Sequence, residues 1–286
     1  MNYGFFDNPY QLAEKGYNGS DKMSPKQFIT MGIIFVLIIV ISILLRKVKK
    51  QRMFTIYKAI AIFMPILEIV KITFSSYADI MHGDDFNLGG ILPLYSCSML
   101  LYFLPFVAWG KGGVMQKVSM AFFCSIGMVA GLSNFVYLSA AGWYPIFTFG
   151  GLYSVVFHAV IVFVGISLMV TELYTPSFKT IYEGMVPVIL FSSFVMPANF
   201  IIKEIPHNGS NPDYMMLMDA NGFIPDISNF FIKNNIQLLF SLITLYILYP
   251  IATAIIVLID MGVAKLVKLI FKKKDNNVSS DEVRNL

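Results

Sequence analysis

The sequence predicts an all-α, polytopic membrane protein, a bundle of seven transmembrane helices, on three observations. Hydrophobic residues make up 57% of the 286 residues and charged residues only 13%, a membrane rather than a water-soluble composition. Seven apolar stretches are each long enough to cross ~30 Å of hydrocarbon, for which about 20 residues suffice. Basic and acidic residues alternate between successive connections, as they do when topology is fixed by positive charge.

The first stretch, 28–45, follows a polar segment, 1–27, that lacks the short apolar core and small-residue cleavage site of a signal peptide. The second, 53–77, carries Glu68 and Lys71. The third, 91–110, carries Tyr95, Ser96, Cys97 and Ser98 near its start. The fourth, 118–138, contains Cys124 and Asn134, and the fifth, 147–171, contains Tyr153, Ser154 and His158, the lone intramembrane histidine. The sixth, 181–202, contains Asn199. The seventh, 231–259, opens with Asn234, Asn235 and Gln237. It exceeds the length of a crossing, so it tilts or begins outside the hydrocarbon. A basic tail, 260–286, ends the chain.

Orientation follows from charge. The run from Arg46 to Arg52 is the densest basic connection and is expected in the cytoplasm with Lys111, Lys117, Lys179 and the tail lysines. The opposite connections carry Asp79, Asp84 and Asp85, then Glu204, Asp213, Asp219 and Asp226. The amino terminus is therefore expected outside and the carboxyl terminus inside. The connection after the sixth stretch is rich in turn signals such as Asn208-Gly and Asn211-Pro, and its Tyr214–Met218 run is apolar enough to lie on the membrane surface.

These features exclude several classes. The net charge of +4 comes from residues at membrane edges, where they set topology and meet anionic lipid, so no nucleic-acid partner is expected. Two cysteines, both inside spans, cannot build a disulfide framework or a cysteine-rich metal site. No dinucleotide, phosphate-loop or HExxH pattern is present, and neither a cofactor nor a metal is expected.

Charged groups inside a bilayer are costly and face the bundle interior or a cavity. With the orientation above, Glu68, Lys71, Ser96, Cys97, Ser98, Asn134, Tyr153, Ser154, His158 and Asn199 all fall in the outer half of their spans. The inner halves are mainly aliphatic and aromatic, so the pattern predicts a polar chamber toward the outer leaflet. Each member also has a packing explanation. Glu68 and Lys71, three residues apart on one helical face, can form a structural ion pair. Asn134 and Asn199 can bond between helices, and Cys97 can permit close helix approach. Cys124, among Phe122, Phe123 and Ile126, is read as packing alone.

A cysteine and a histidine at one depth have a defined chemistry. The imidazole takes the thiol proton, and the thiolate attacks an acyl carbonyl to give a thioester. Ester carbonyls of phospholipids lie near that depth. Oxyanion donors are available in Tyr95, Ser96, Ser98, Asn134 and Asn199. Glu68 is the best candidate to orient His158.

The segment Ile91-Leu-Pro-Leu-Tyr-Ser-Cys-Ser-Met99, with Gly151-Leu-Tyr-Ser-Val-Val-Phe-His158 and Met196-Pro-Ala-Asn-Phe200, resembles the YwaF-type family of bacterial integral membrane proteins. That family is similar to a eukaryotic transmembrane acyltransferase acting on ether phospholipids and, more remotely, to the androgen-induced membrane hydrolases. The resemblance runs from the second span to the end. It implies Cys97 as the acyl-accepting nucleophile and His158 as its base, with Pro197 and Asn199 as the sixth-span match. Asp213-Tyr214 stands where the family has Asn-Tyr. Tyr95 stands where many members have a histidine, and a phenol is not a base near neutral pH.

The expectation is thus a plasma-membrane acyltransferase or esterase whose partners are phospholipids or other acyl lipids, with the oligomeric state left open. The alternative from another class is a non-catalytic lipid-binding protein or small-solute transporter using the same outer-facing chamber. A transporter should show inverted repeats or broken mid-membrane helices, and no convincing repeat pair is evident.

Overall fold

Helix α1 (Pro9–Glu14) begins at Asn8, whose side chain accepts from the Gln11 amide while the Gln11 side chain returns to the Asn8 amide. Helix α2 (Pro25–Leu44) begins at Ser24, whose hydroxyl accepts from the Gln27 amide, with Pro25 in the first turn where no amide donor is needed. The computed structural model describes residues 3–83, 91–203, 239 and 242–265, and among these every regular element is helical. Six helical runs among the described residues are long and apolar enough to cross a membrane.

Helix α3 (Lys50–His82) has 33 residues, or ~50 Å, and outruns the 53–77 stretch at both ends. Pro65 lies inside it. Gly83 ends it at φ +86, a left-handed conformation that side-chain-bearing residues rarely adopt.

The third apolar stretch is not one full-length helix. Residues 92–98 are irregular and end in a turn closed by the Ser98 amide on the Tyr95 carbonyl, 2.9 Å. Pro93 supplies no amide donor and disfavours helical geometry at Leu92. Only α4 (Met99–Trp109) follows, 11 residues and ~16 Å long.

The fourth stretch is also interrupted, into α5 (Val114–Phe123) and α6 (Ile126–Val136). Ser125 sits at φ −151, ψ −112, and its hydroxyl donates to the Ala121 carbonyl at 2.6 Å, an alternative to the helical ladder.

Helix α7 (Phe149–Val170) is central and packs against α2, α3, α5 and α6. Its approach is close: a Cβ on Gly165 would stand 2.4 Å from the Phe123 carbonyl oxygen, and one on Gly131 of α6 would stand 2.7 Å from Val162. Helix α8 (Lys179–Lys203) lies against α5, fastened by Lys117 Nζ on Glu183 Oε1 at 2.7 Å. Helix α9 (Thr244–Lys265) opens with a π turn, Thr244–Leu248.

The core is aromatic and sulfur-rich, with Tyr57, Met64, Leu104, Phe123 and Phe157 fully buried. Tyr57 and Ser167 satisfy each other's hydroxyls at 2.9 Å. Lipid is as apolar as these side chains, so close packing rather than water exclusion holds such a core together. By contrast α2 exposes Ile33, Val36, Leu37, Val40 and Ile41, a face suited to lipid.

The amino-terminal segment is a folded cap rather than a loose leader. Tyr17 donates to the Ala141 carbonyl at 2.5 Å, Asp21 accepts from the Ile146 amide at 2.8 Å, and Gln27 donates to the Val136 carbonyl at 2.9 Å. Tyr10 donates to Asp79 at 3.0 Å and stacks on His82. The bundle thus has a capped end and, opposite, a basic end carrying Arg46–Arg52. The acidic pair Asp84 and Asp85, most of the sixth connection, the polar start of the seventh stretch and most of the tail lie outside the described residues.

Candidate functional site

A cavity of about 400 Å³ lies toward the capped end, bounded by α3, the 92–98 turn, α6, the segment before α7, and α7. Ten of the eleven residues singled out from the sequence line it: Glu68, Lys71, Tyr95, Ser96, Cys97, Ser98, Asn134, Tyr153, Ser154 and His158. Asn199 does not. It is buried on α8, a helix that packs against α5.

Cys97 reaches the cavity because residues 92–98 are not helical. The turn presents its thiol just before the N-terminus of α4, where backbone N–H groups favour developing negative charge. Cys124, in contrast, is fully buried at the α5–α6 break, 3.6 Å from the Gly165 carbonyl oxygen, and lies outside the cavity.

His158 comes from the middle of α7 and is buried. Its Nδ1 lies 2.7 Å from the Ser154 carbonyl oxygen one turn earlier. A carbonyl only accepts, so Nδ1 carries the proton and Nε2 keeps the lone pair. The group that orients His158 is therefore the α7 backbone. Glu68 is occupied elsewhere, which corrects the expectation that it would hold the imidazole.

Glu68 is buried and serves two partners. Tyr153 donates its hydroxyl to Oε2, and Lys71 Nζ stands 3.5 Å from Oε1. Lys71 also lies 5.8 Å from the centre of the Tyr153 ring. The expected ion pair is present as a three-membered cluster with Tyr153. Its hydroxyl is committed to that cluster, so Tyr153 is a wall of the cavity rather than a free donor.

Asn134 Oδ1 is buried with no hydrogen-bond partner among the described residues. An unmet acceptor of this kind costs about 1–3 kcal/mol, which makes it a ready partner for a donor on a ligand.

Sequence reasoning missed Ser75, Tyr144, Phe74 and Phe149, which also line the cavity. Ser75 was within reach, since Glu68, Lys71 and Ser75 share one face of α3. Tyr144 was not, because it lies between apolar stretches and enters through the tight packing of its ring against Gly150. Burial pushes its phenol up to about 12, so it stays neutral.

Fold and cavity together define a multi-pass helical membrane protein with a polar chamber toward one end of the bundle. The chain belongs to the TMEM164 family, whose sequence model matches residues 22–260. That match covers α2 to Asp260 and contains every cavity residue named above. No curated protein and no solved structure matches the chain.

Proposed function

We propose that the protein is a lipid acyltransferase or lipid esterase of the plasma membrane, working through an acyl-enzyme on Cys97. The observation that carries this reading is one polar cavity lined by both Cys97 and His158, with the histidine tautomer fixed by the Ser154 carbonyl.

In the first step His158 Nε2 takes the Cys97 thiol proton, and the thiolate attacks the ester carbonyl carbon of an acyl lipid. A carbon–sulfur bond forms, the carbon–oxygen ester bond breaks, and the leaving alkoxide takes the proton from the imidazolium. In the second step His158 removes a proton from water or an acceptor alcohol, whose oxygen attacks the thioester. The carbon–sulfur bond breaks and the thiolate is reprotonated. Ser96 and Ser98 are the oxyanion donors on offer, while Asn134 takes a donor from the lipid. No cofactor is required by this chemistry. In this reading the capped end faces outward and the basic end inward, which sets the cavity at the depth of outer-leaflet ester carbonyls.

The test is acyl-enzyme formation with a lipid fluorophosphonate or a thiol-reactive acyl probe in purified full-length protein. Cys97→Ala and His158→Ala should each reduce labelling by at least a hundredfold, and the double variant should lose no more than either alone. Cys124→Ala should label like the unaltered protein. Full activity in Cys97→Ala would replace this reading with that of a lipid-binding protein.

A further inference from the structure

A second cavity, about 250 Å³, lies toward the basic end between α2, α9 and the ends of α6 and α7. Along α2 its wall is Phe35, Ile39 and Ile43, spaced four residues apart on one face. Along α9 it is Ile256, Ile259, Asp260 and Val263, again one face. Among the described residues that line the slot, Asp260 alone is polar. Its residue exposure is 4%, and Oδ2 has no hydrogen-bond partner among the described residues.

This arrangement is unusual for a spanning helix. A polar group on α9 would ordinarily turn to water, to a partner helix or to a counter-charge. Among the described residues, no basic side chain lines the slot. The carboxyl instead faces a space walled by hydrocarbon side chains, large enough for a ligand. A ligand that satisfies such a site brings one positively charged hydrogen-bond donor and an apolar body. A neutral alcohol meets the hydrogen bond but not the charge, and a carboxylate or phosphate placed beside Asp260 is repelled.

We propose that the slot between α2 and α9 binds an amphiphile with a primary ammonium head, its nitrogen paired with Asp260 and its chain along Phe35, Ile39 and Ile43. The ammonium can belong to an amine-headed phospholipid or to a free long-chain amine. The site is separate from the Cys97 cavity and does not rest on the acyl-transfer reading.

The test uses purified full-length protein and native mass spectrometry, with dodecylamine as probe and dodecanol as its uncharged match. The unaltered protein should bind dodecylamine at least tenfold more tightly than Asp260→Asn does, and dodecanol should bind both alike. Cys97→Ala should retain the full preference. Retention of phosphatidylethanolamine over phosphatidylglycerol, lost in Asp260→Asn, assigns the ammonium to a lipid head. Selectivity for dodecylamine without that retention assigns it to a free amine. Should Asp260→Asn fail to fold, Ile39→Trp fills the slot while keeping the carboxyl, and dodecylamine binding should fall about tenfold. Equal dodecylamine binding by Asp260→Asn or Ile39→Trp and the unaltered protein, or dodecanol binding as tightly as dodecylamine, overturns the proposal.

Discussion

Glu68 shows how much a single buried charge can require of its neighbours. Its carboxylate takes a donor from Tyr153 on one oxygen and lies near Lys71 on the other. Removing one partner of such a set leaves the remaining charge less well compensated, which costs more than removing both. Glu68→Gln should therefore lower stability by about 2 kcal/mol, toward the small end because the Lys71 side chain keeps 27% exposure. The double variant Glu68→Gln, Lys71→Met should recover most of the loss. Thermal unfolding in detergent measures both, and equal melting temperatures would show that the two residues are not coupled. Tyr17 gives a second residue-scale prediction. Burial, then the nearby charge of Asp21, pushes its phenol up to about 12 from an ordinary value of 10.0. Its contribution is whole below pH ~10 and is lost as pH rises through about 12, because the ionised form is disfavoured in the folded state. The amino-terminal cap should become protease-sensitive over that window in the unaltered protein. Tyr17→Phe, which cannot ionise, should keep the cap protected to higher pH.

At the scale of elements, the informative places are where a helix stops. The break at Cys124–Ser125 is wedged between α7 and α8. A Cβ at Gly165 would meet the Phe123 carbonyl oxygen at 2.4 Å, and one at Gly184 would meet Ser125 Oγ at 2.1 Å. Gly165→Ala therefore collides with backbone that cannot rotate away, and should cost about 1–3 kcal/mol. Gly32→Ala on lipid-facing α2 has nothing within 4 Å and should be neutral or slightly stabilising, since alanine is the better helix former. Chemical unfolding of the two variants side by side measures the difference. A Gly165→Ala protein as stable as the unaltered one would mean that α5 and α7 are farther apart than described. The 92–98 turn was only half legible. Pro93 and the polar triplet Ser96-Cys97-Ser98 are in plain view, yet the apolar run around them reads as one continuous helix. Periodicity cannot distinguish an apolar helix from an apolar irregular segment, because both satisfy the same composition.

At the scale of the whole molecule, charge predicts a topology and the cap gives the shape of one end. Trp143→Cys at the capped end, in a Cys97→Ala background, should react with a membrane-impermeant maleimide on intact cells. Lys47→Cys at the basic end should react only after permeabilisation. Trp143 is well exposed and Arg46–Arg52 is the densest positive connection, so both sites are clear reporters. The reverse pattern would invert the leaflet assigned to the Cys97 cavity.

Composition, span length and charge alternation settled by themselves that the chain is an all-helical, multi-pass membrane protein, because each depends on solvent preference and not on packing. Depth along each span likewise placed the cavity residues at one level, since rise per residue is fixed. Sequence could not decide which faces of the helices meet. Asn199 has the right depth but does not line the cavity, whereas Tyr144 has no span at all and still does. Nor could it show that the Ser154 backbone, not Glu68, holds His158, or that Asp260 turns into an apolar slot. Those outcomes belong to tertiary structure, because rotation about a helix axis is set by the shapes that neighbouring helices present and not by hydropathy.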